Sequence, residues 1–400
     1  MEGHERFSVG RRAVLRAVGG GITTLGIAPG IGVARPEGSS PEIVWDRTYG
    51  STGPAFSVDT VQDAVETPAG YAFTGRSAAA GGGWLVLVDP ADGDVLSTWV
   101  YPDLYPDALV AADDGGYLVA GRASNEFGAP AVAVGIDADG EELWREFYGT
   151  TELGVSELIR TTDGGFAMIG VGVDAEERLD FALVKAAVDG TEEWSRTYGG
   201  EGSQVGRSLV ETTDGGFVLA GFTTSDGFDR QDAWLVRVDA EGEAVWSETY
   251  GERCTDEASS IVRTDGGFVF LGTTRSSQTD RGDADLWLVG VDAAGAERWT
   301  GTYGDLDGTT FDNVGGHSGT LVACEDGYAF IGSIDGRFGL GRVDGAGHTR
   351  WLRTISKGSA ERFQSDHPTE LLATSDGGYL LAGLTGIPSG AFNARLVKLQ

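Results

Sequence analysis

One phrase recurs through this chain and limits what it can fold into. In the stretch 213–251 it reads TDGGFVLAGFTTSDGFDRQDAWLVRVDAEGEAVWSETYG. The frame is D-G-G-[FY], an apolar run, a polar loop, L-V-x-V-D-x-x-G, then W-x-x-x-Y-G. The anchoring tryptophans are Trp45, Trp99, Trp144, Trp194, Trp246, Trp299 and Trp351, spaced by 54, 45, 50, 52, 53 and 52 residues. A period near fifty with several short strands per unit points to a propeller or solenoid.

Each unit reads as four strands. In the clearest copy they are Arg207–Thr212, Phe217–Thr223, Ala233–Asp239 and Ala244–Tyr250. Asp-Gly-Gly at 214–216 is a hairpin signal, because glycine accepts the positive φ that tight turns need. It recurs at 114–116, 163–165, 265–267 and 376–378, with degenerate copies at Asp326-Gly327 and Gly70. A second hairpin, Asp-x-x-Gly, precedes the tryptophans. The runs between, such as Trp234-Leu-Val-Arg-Val, have the composition of buried strands.

Four antiparallel strands per unit make a propeller blade, and a ring of blades protects its edges. The turns number seven. The last unit stops after its third strand, Asn393–Leu399, while the chain opens on an orphan fourth strand, Ile43–Tyr49. The predicted fold is an all-β, seven-bladed β-propeller over 43–400, its last blade closed by the N-terminal strand.

Residues 1–34 read as a twin-arginine signal peptide. Arg11 and Arg12 precede a weakly apolar, glycine-rich stretch that ends in the small residues Gly32-Val33-Ala34. Residues 35–42 read as a linker. The expected product is extracellular or attached to the cell surface, with no transmembrane segment after cleavage. Whether the leader is cleaved or retained as an anchor stays open. The formal net charge is −32, and only three lysines occur, Lys185, Lys357 and Lys398. Such a surface repels a phosphate backbone, which argues against nucleic acid as a partner. Its self-repulsion is tolerable where salt screens it, and the composition resembles that of haloarchaeal proteins. The two cysteines, Cys254 and Cys324, fall at opposite faces of the repeat and are expected as free thiols.

The D-x-x-G-x-x-x-W phrase, as in Asp239–Trp246 and Asp292–Trp299, resembles the tryptophan-docking motif of quinoprotein-like propellers. By that resemblance each Trp packs on the neighbouring blade. The longer phrase is similar to an exported repeat family of archaea and bacteria, mostly uncharacterised. The resemblance covers nearly all of 43–400 and implies the fold without a function. No adjacent cysteine pair of the quinoprotein alcohol dehydrogenase kind is present, which disfavours pyrroloquinoline quinone.

The recurring turn aspartates read as hairpin residues, and Tyr148, Tyr198, Tyr250 and Tyr303 as packing residues. His317 and His367 draw more notice: each precedes the leucine of a first strand, Leu321 or Leu371, by four residues. Glu257 holds the corresponding place one unit earlier, and Asp312 and Asp366 lie close by. These five form the candidate metal site at the rim of the central channel, for zinc or another transition metal, or for acid–base work. The acidic loops at Asp280–Asp285 and Asp305–Gly308 suit calcium less well, since neither completes a known loop pattern. No catalytic constellation is complete. The leading expectation is therefore a monomeric, non-catalytic binding or scaffold propeller that recognises a protein, glycan or small ligand on its variable-loop face. The alternative is a quinoprotein-like or metal-dependent enzyme (oxidoreductase, hydrolase or lyase) with its site at the channel.

Overall fold

The structure is a computed structural model that describes residues 7–8, 40–50, 59–78, 81–124, 129–149, 154–173, 178–224, 231–251, 255–274, 285–303, 311–312, 320–334, 337–355, 366–386 and 392–400. The expected signal segment lies outside these residues, apart from Phe7–Ser8, which pair in parallel with Tyr198–Gly199. Cys254, His317 and most of the long loops also lie outside them; Cys324 is a free thiol.

Seven antiparallel sheets form the ring. Blade 1 runs from Asp63 to Tyr101, blade 2 from Tyr105 to Tyr148, blade 3 from Gly154 to Gly199 and blade 4 from Gln204 to Tyr250. Blade 5 runs from Asp256 to Tyr303, blade 6 from Phe311 to Ile355 and blade 7 from Asp366 to Leu399. Ile43–Tyr49 adds the fourth strand to blade 7, antiparallel to Phe392–Leu399. The pairing extends one step further, with Glu42 and Gln400 exchanging backbone hydrogen bonds of 2.7 and 2.9 Å. The three-plus-one closure is therefore as the repeat predicts. Arg395, with a fully buried side chain, spans the junction. It forks onto Asp46 and holds Asp366 with a third hydrogen bond of 2.6 Å.

The second and third strands of each blade are apolar on both faces because each blade is packed between two others. Phe217–Thr223 is buried along its whole length. Seven hydrophobic layers result, one per junction between blades. The layer between blades 3 and 4, for example, joins Ile169, Phe181 and Leu183 to Leu209, Phe217 and Trp234.

The tryptophan motif reaches across these junctions. A Cβ added at Gly295, in the hairpin of blade 5, would lie 3.1 Å from the indole of Trp246 in blade 4. Gly295 also sits at φ 82°, so both shape and backbone require glycine there. Beside it the Tyr250 hydroxyl donates to the Gly295 carbonyl at 2.6 Å. Tyr49, Tyr101, Tyr148, Tyr198 and Tyr303 make the same bond to Gly93, Gly140, Gly190, Gly242 and Gly347. The seventh junction differs. There the third and fourth strands of blade 7, Phe392–Leu399 and Ile43–Tyr49, are far apart in the sequence and no hairpin joins them, and the tyrosine position is taken by Ile355.

The turn aspartates have a second role. Asp163, Asp214 and Asp376 pair with Lys185, Arg237 and Lys398 at 3.0, 2.6 and 2.8 Å. Asp326 pairs likewise with Arg342. Each of these cations is buried on a third strand, so two of the three lysines serve the scaffold.

Candidate functional site: the axial cavity

A first strand lines the axis in every blade, and most of these strands carry the same irregularity. Their pairing register slips by one residue between Pro106 and Ala108, Val155 and Glu157, Gly206 and Ser208, Ala258 and Ser260, and Pro368 and Glu370. In blade 1 the slip falls between Asp59, opposite Ser77, and Asp63, opposite Thr74. Each slip is a β-bulge, which leaves one residue unpaired and re-aims side chains. The bulged residues Asp107, Ser156, Arg207, Ser259 and Thr369 all line the axial cavity, together with Glu157, Ser208, Ser260 and Glu370. The cavity measures about 310 Å³.

The residue just before the first-strand Ala, Leu or Ile is Asp63, Ala108, Glu157, Ser208, Ser260, Thr320 and Glu370 in blades 1 to 7. In four of the blades its side chain stitches neighbours together. Asp63 Oδ2 accepts from the Leu109 amide of blade 2 at 2.7 Å, and Glu157 Oε2 from the Leu209 amide of blade 4 at 2.6 Å. Ser208 Oγ accepts from Ile261 at 3.1 Å, and Ser260 Oγ from Leu321 at 3.2 Å. Among the described residues Glu370 makes no such bond to blade 1, where the Ala64 amide is already taken by Asp63 at 2.7 Å.

The charges are unevenly distributed around the axis. Acids stand on blades 7, 1 and 3 as Glu370, Asp63 and Glu157. Hydroxyls stand on blades 4 to 6. Burial raises Asp63 to about 7, opposed by the amides of Leu109 and Ala64. Burial raises Glu157 to about 7, opposed by the Leu209 amide and the Ser208 hydroxyl. Glu370 is raised by burial and by the charges of Asp63 and Glu157. All three are half-buried, so cavity water screens them in part, but the direction follows from crowding acids in a narrow shaft. Asp107 is raised to about 6 by burial, with Arg122 at 3.5 Å opposing the shift. Arg207, on blade 4, lies over the Phe222 ring at 5.8 Å and has no carboxylate partner among the described residues. Thr320 Oγ1 and Thr369 Oγ1 are buried cavity hydroxyls with no hydrogen-bond partner among the described residues.

Of the five residues expected at the channel rim, three are described with their side chains, and His317 lies outside the described residues. Asp366 is held by Arg395. The His367 ring packs on Phe392 at 5.7 Å, and burial lowers its pKa against the pull of Asp366. Glu257 is buried, 3.4 Å from the Thr273 hydroxyl. None of the three lines the axial cavity. Asp312 is described only in its backbone. Pairing places it opposite Ser333, the register place that His367 holds opposite Leu384. Asp312, rather than His317, is therefore the blade 6 counterpart of His367. No group of three His, Cys, Asp or Glu among the described residues is placed to hold a metal ion. The residues that do meet at the axis, Asp63, Glu157, Arg207 and Glu370, carry a positional signal. They fall one or two places before the first-strand Ala, Leu or Ile, whereas the histidines are counted four places before.

No family model matches the chain. The regulatory protein FlaEY of Caulobacter vibrioides is 25% identical over 219 residues, which cover 48% of this chain and 22% of that protein. The chain thus spans about a fifth of that relative's length. Among solved structures, the WD40 β-propeller domain of Doa1 aligns with a TM-score of 0.55 at 13% identity, covering 90% of this chain and 97% of that one. The periplasmic gluconolactonase PpgL of Pseudomonas aeruginosa aligns at 0.51 and 16% identity, covering 85% and 95%. These likenesses show the fold. No helix among the described residues is long and apolar enough to cross a membrane.

Proposed function

We propose that this chain is an exported, non-catalytic binding propeller that takes a small polar ligand into its axial cavity. The observation that carries the reading is the bulge repeated from blade to blade, which aims polar side chains into one cavity of about 310 Å³. A purely structural shaft has no need of a guanidinium without a counter-ion, or of two buried hydroxyls without partners, among the described residues. The fold itself is neutral on the matter, since the similar structures include a WD40 domain and a gluconolactonase. Export by the twin-arginine route, a monomeric state and adaptation to high salt belong to the same proposal. They are supported by Arg11 and Arg12, by the ring closure and by the net charge of −32.

The test is a thermal-shift screen of small polar compounds against the full chain in high salt. A compound that raises the melting temperature of the protein, and fails to do so for Glu370→Gln, supports the reading. A screen without hits, alongside capture of a macromolecule through the loop face, overturns it.

One observation favours a second reading. Carboxyls held near neutrality are suited to general acid–base work, and Asp63 and Glu157 are so held. An enzyme using them, or a metal site shared by His317 and His367, is the alternative. Metal analysis of the purified protein addresses the latter. A bound transition metal that His367→Ala releases would assign it.

A further inference from the structure

The axial cavity is electrically two-sided. Glu370 and Asp63 occupy neighbouring blades, 7 and 1. In a ring of seven, blade 4 lies three places from each, so Arg207 faces that pair across the shaft. Neither end is internally neutralised. Arg207 has no carboxylate within ion-pair distance among the described residues, although the chain has about two acids for every base. Glu370 has no cation in contact among the described residues either, and the charges that act on it are those of Asp63 and Glu157. Asp107 differs, being matched already by Arg122. The hydroxyls share this division. The Ser208 hydroxyl is engaged by Glu157, but Ser260 on blade 5 and the Thr320 hydroxyl on blade 6 line the wall beyond Arg207, the latter buried without a partner among the described residues. Guanidinium and hydroxyl donors suit a carboxylate, and a cluster of carboxyls suits an ammonium. Apolar side chains, Leu109, Val155, Leu158 and Leu372, complete the wall between the polar ends.

We infer that the axial cavity binds a small zwitterion, with its ammonium against Glu370 and Asp63 and its carboxylate on Arg207 across the shaft. This rests on the binding reading above and names the ligand class. A lone cation leaves Arg207 unmatched, and a lone anion meets three acids. A ligand with both charges on a short carbon chain neutralises both ends and lays its methylenes on the leucines. The ammonium also favours the ionised carboxylates, so binding near neutral pH releases protons to the buffer.

The experiment is titration calorimetry on the full chain at the lowest salt that keeps it folded. The probes are glycine, β-alanine, 4-aminobutanoate and 6-aminohexanoate, with butylamine, butanoate and glycerol as single-feature controls. At least one amino acid should bind at least tenfold more tightly than any control. Heats measured in two buffers of different ionisation enthalpy should show proton release. Arg207→Gln and Glu370→Gln should each weaken that binding at least tenfold while leaving the unliganded melting temperature within a few degrees. If a variant fails to fold, the proton release of the unaltered protein still decides. Butylamine or glycerol binding as tightly as the amino acids would overturn the inference and leave the binding reading standing. Absence of binding by every probe would overturn the inference, and the wider screen above would then decide the binding reading separately.

Discussion

Arg395 grips Asp46 through two parallel hydrogen bonds of 3.0 and 2.8 Å, joining the last strand of the chain to the first across 349 residues of sequence. The guanidinium is fully buried, and Asp366 takes its remaining face. Breaking a buried pair by removing one partner typically costs about 3 kcal/mol or more, because the other charge is left uncompensated. Asp46→Ala removes two charged hydrogen bonds but leaves Arg395 paired with Asp366, so it should lower unfolding free energy by about 2 kcal/mol, read from guanidinium denaturation. Exchanging a surface pair such as Arg47 and Asp94 should change it by less than about 1 kcal/mol. Equal effects would show that the closure does not depend on this fork.

The inter-blade tyrosines offer a finer test. Tyr250→Phe removes only the hydroxyl that donates to Gly295, and should cost about 1 kcal/mol. Ile355→Tyr should bring no gain, since no hairpin carbonyl waits at the closing junction. A stabilised Ile355→Tyr protein would contradict the assignment of that junction.

Two glycines with the same backbone separate strain from packing. Gly140 and Gly215 have φ of 86° and 80°. A methyl at Gly215 meets only Ala240, at 3.7 Å, whereas at Gly140 it overlaps the Trp99 indole. Gly215→Ala should cost about 1 kcal/mol from backbone alone, and Gly140→Ala about 3 kcal/mol once overpacking is added. Chemical denaturation of the two variants side by side reads the difference.

The cavity acids set a pH dependence with an unusual sign. Asp63 and Glu157 titrate near 7 in the folded chain, above their ordinary range. Between about pH 4 and 7 the folded state therefore binds more protons than the unfolded state. Their contribution is fully present below the unfolded pKa and is lost as pH rises through about 7. Glu157→Gln keeps an oxygen to accept from Leu209 and carries no charge. It should flatten the fall in melting temperature from pH 5 to 8 and raise stability at pH 8. An unchanged slope would show that the carboxyl does not titrate in this range.

Salt should act through the whole surface. With 61 acidic residues against 29 basic, the chain is expected to loosen as salt falls well below molar levels. Circular dichroism over a salt series checks this, and a flat response would contradict the halophilic reading.

The scaffold was legible because its determinants are local and repeated. The tryptophans, the two hairpin signals and the orphan strand at Ile43–Tyr49 gave the blade number and the closure. Phe217–Thr223 and Ala244–Tyr250 fall where pattern places them. The first strand of that unit is expected from Arg207 but begins at Gln204. The bulge at Arg207 breaks the alternation that would have shown its start. The axial residues escaped notice for a related reason. Asp63, Ala108, Glu157, Ser208, Ser260, Thr320 and Glu370 share a place but no chemistry, so no motif links them. The histidine arc was counted along the chain, and that count fails in blade 6. There the first strand breaks after Asp312 and pairing resumes only at Leu321.

The bulge has a consequence for how such a ring can change. A regular strand gives alternate residues to its two faces, so altering the axis would alter packing between blades at the next step. In blades 3, 4, 5 and 7 the slip hands two consecutive side chains to the axis and then restores the phase before the buried Leu or Ile. Lining and layers are thereby uncoupled. The same seven-spoked frame can be given a new interior vocabulary, two letters per spoke, without rewriting the grammar that holds the spokes together.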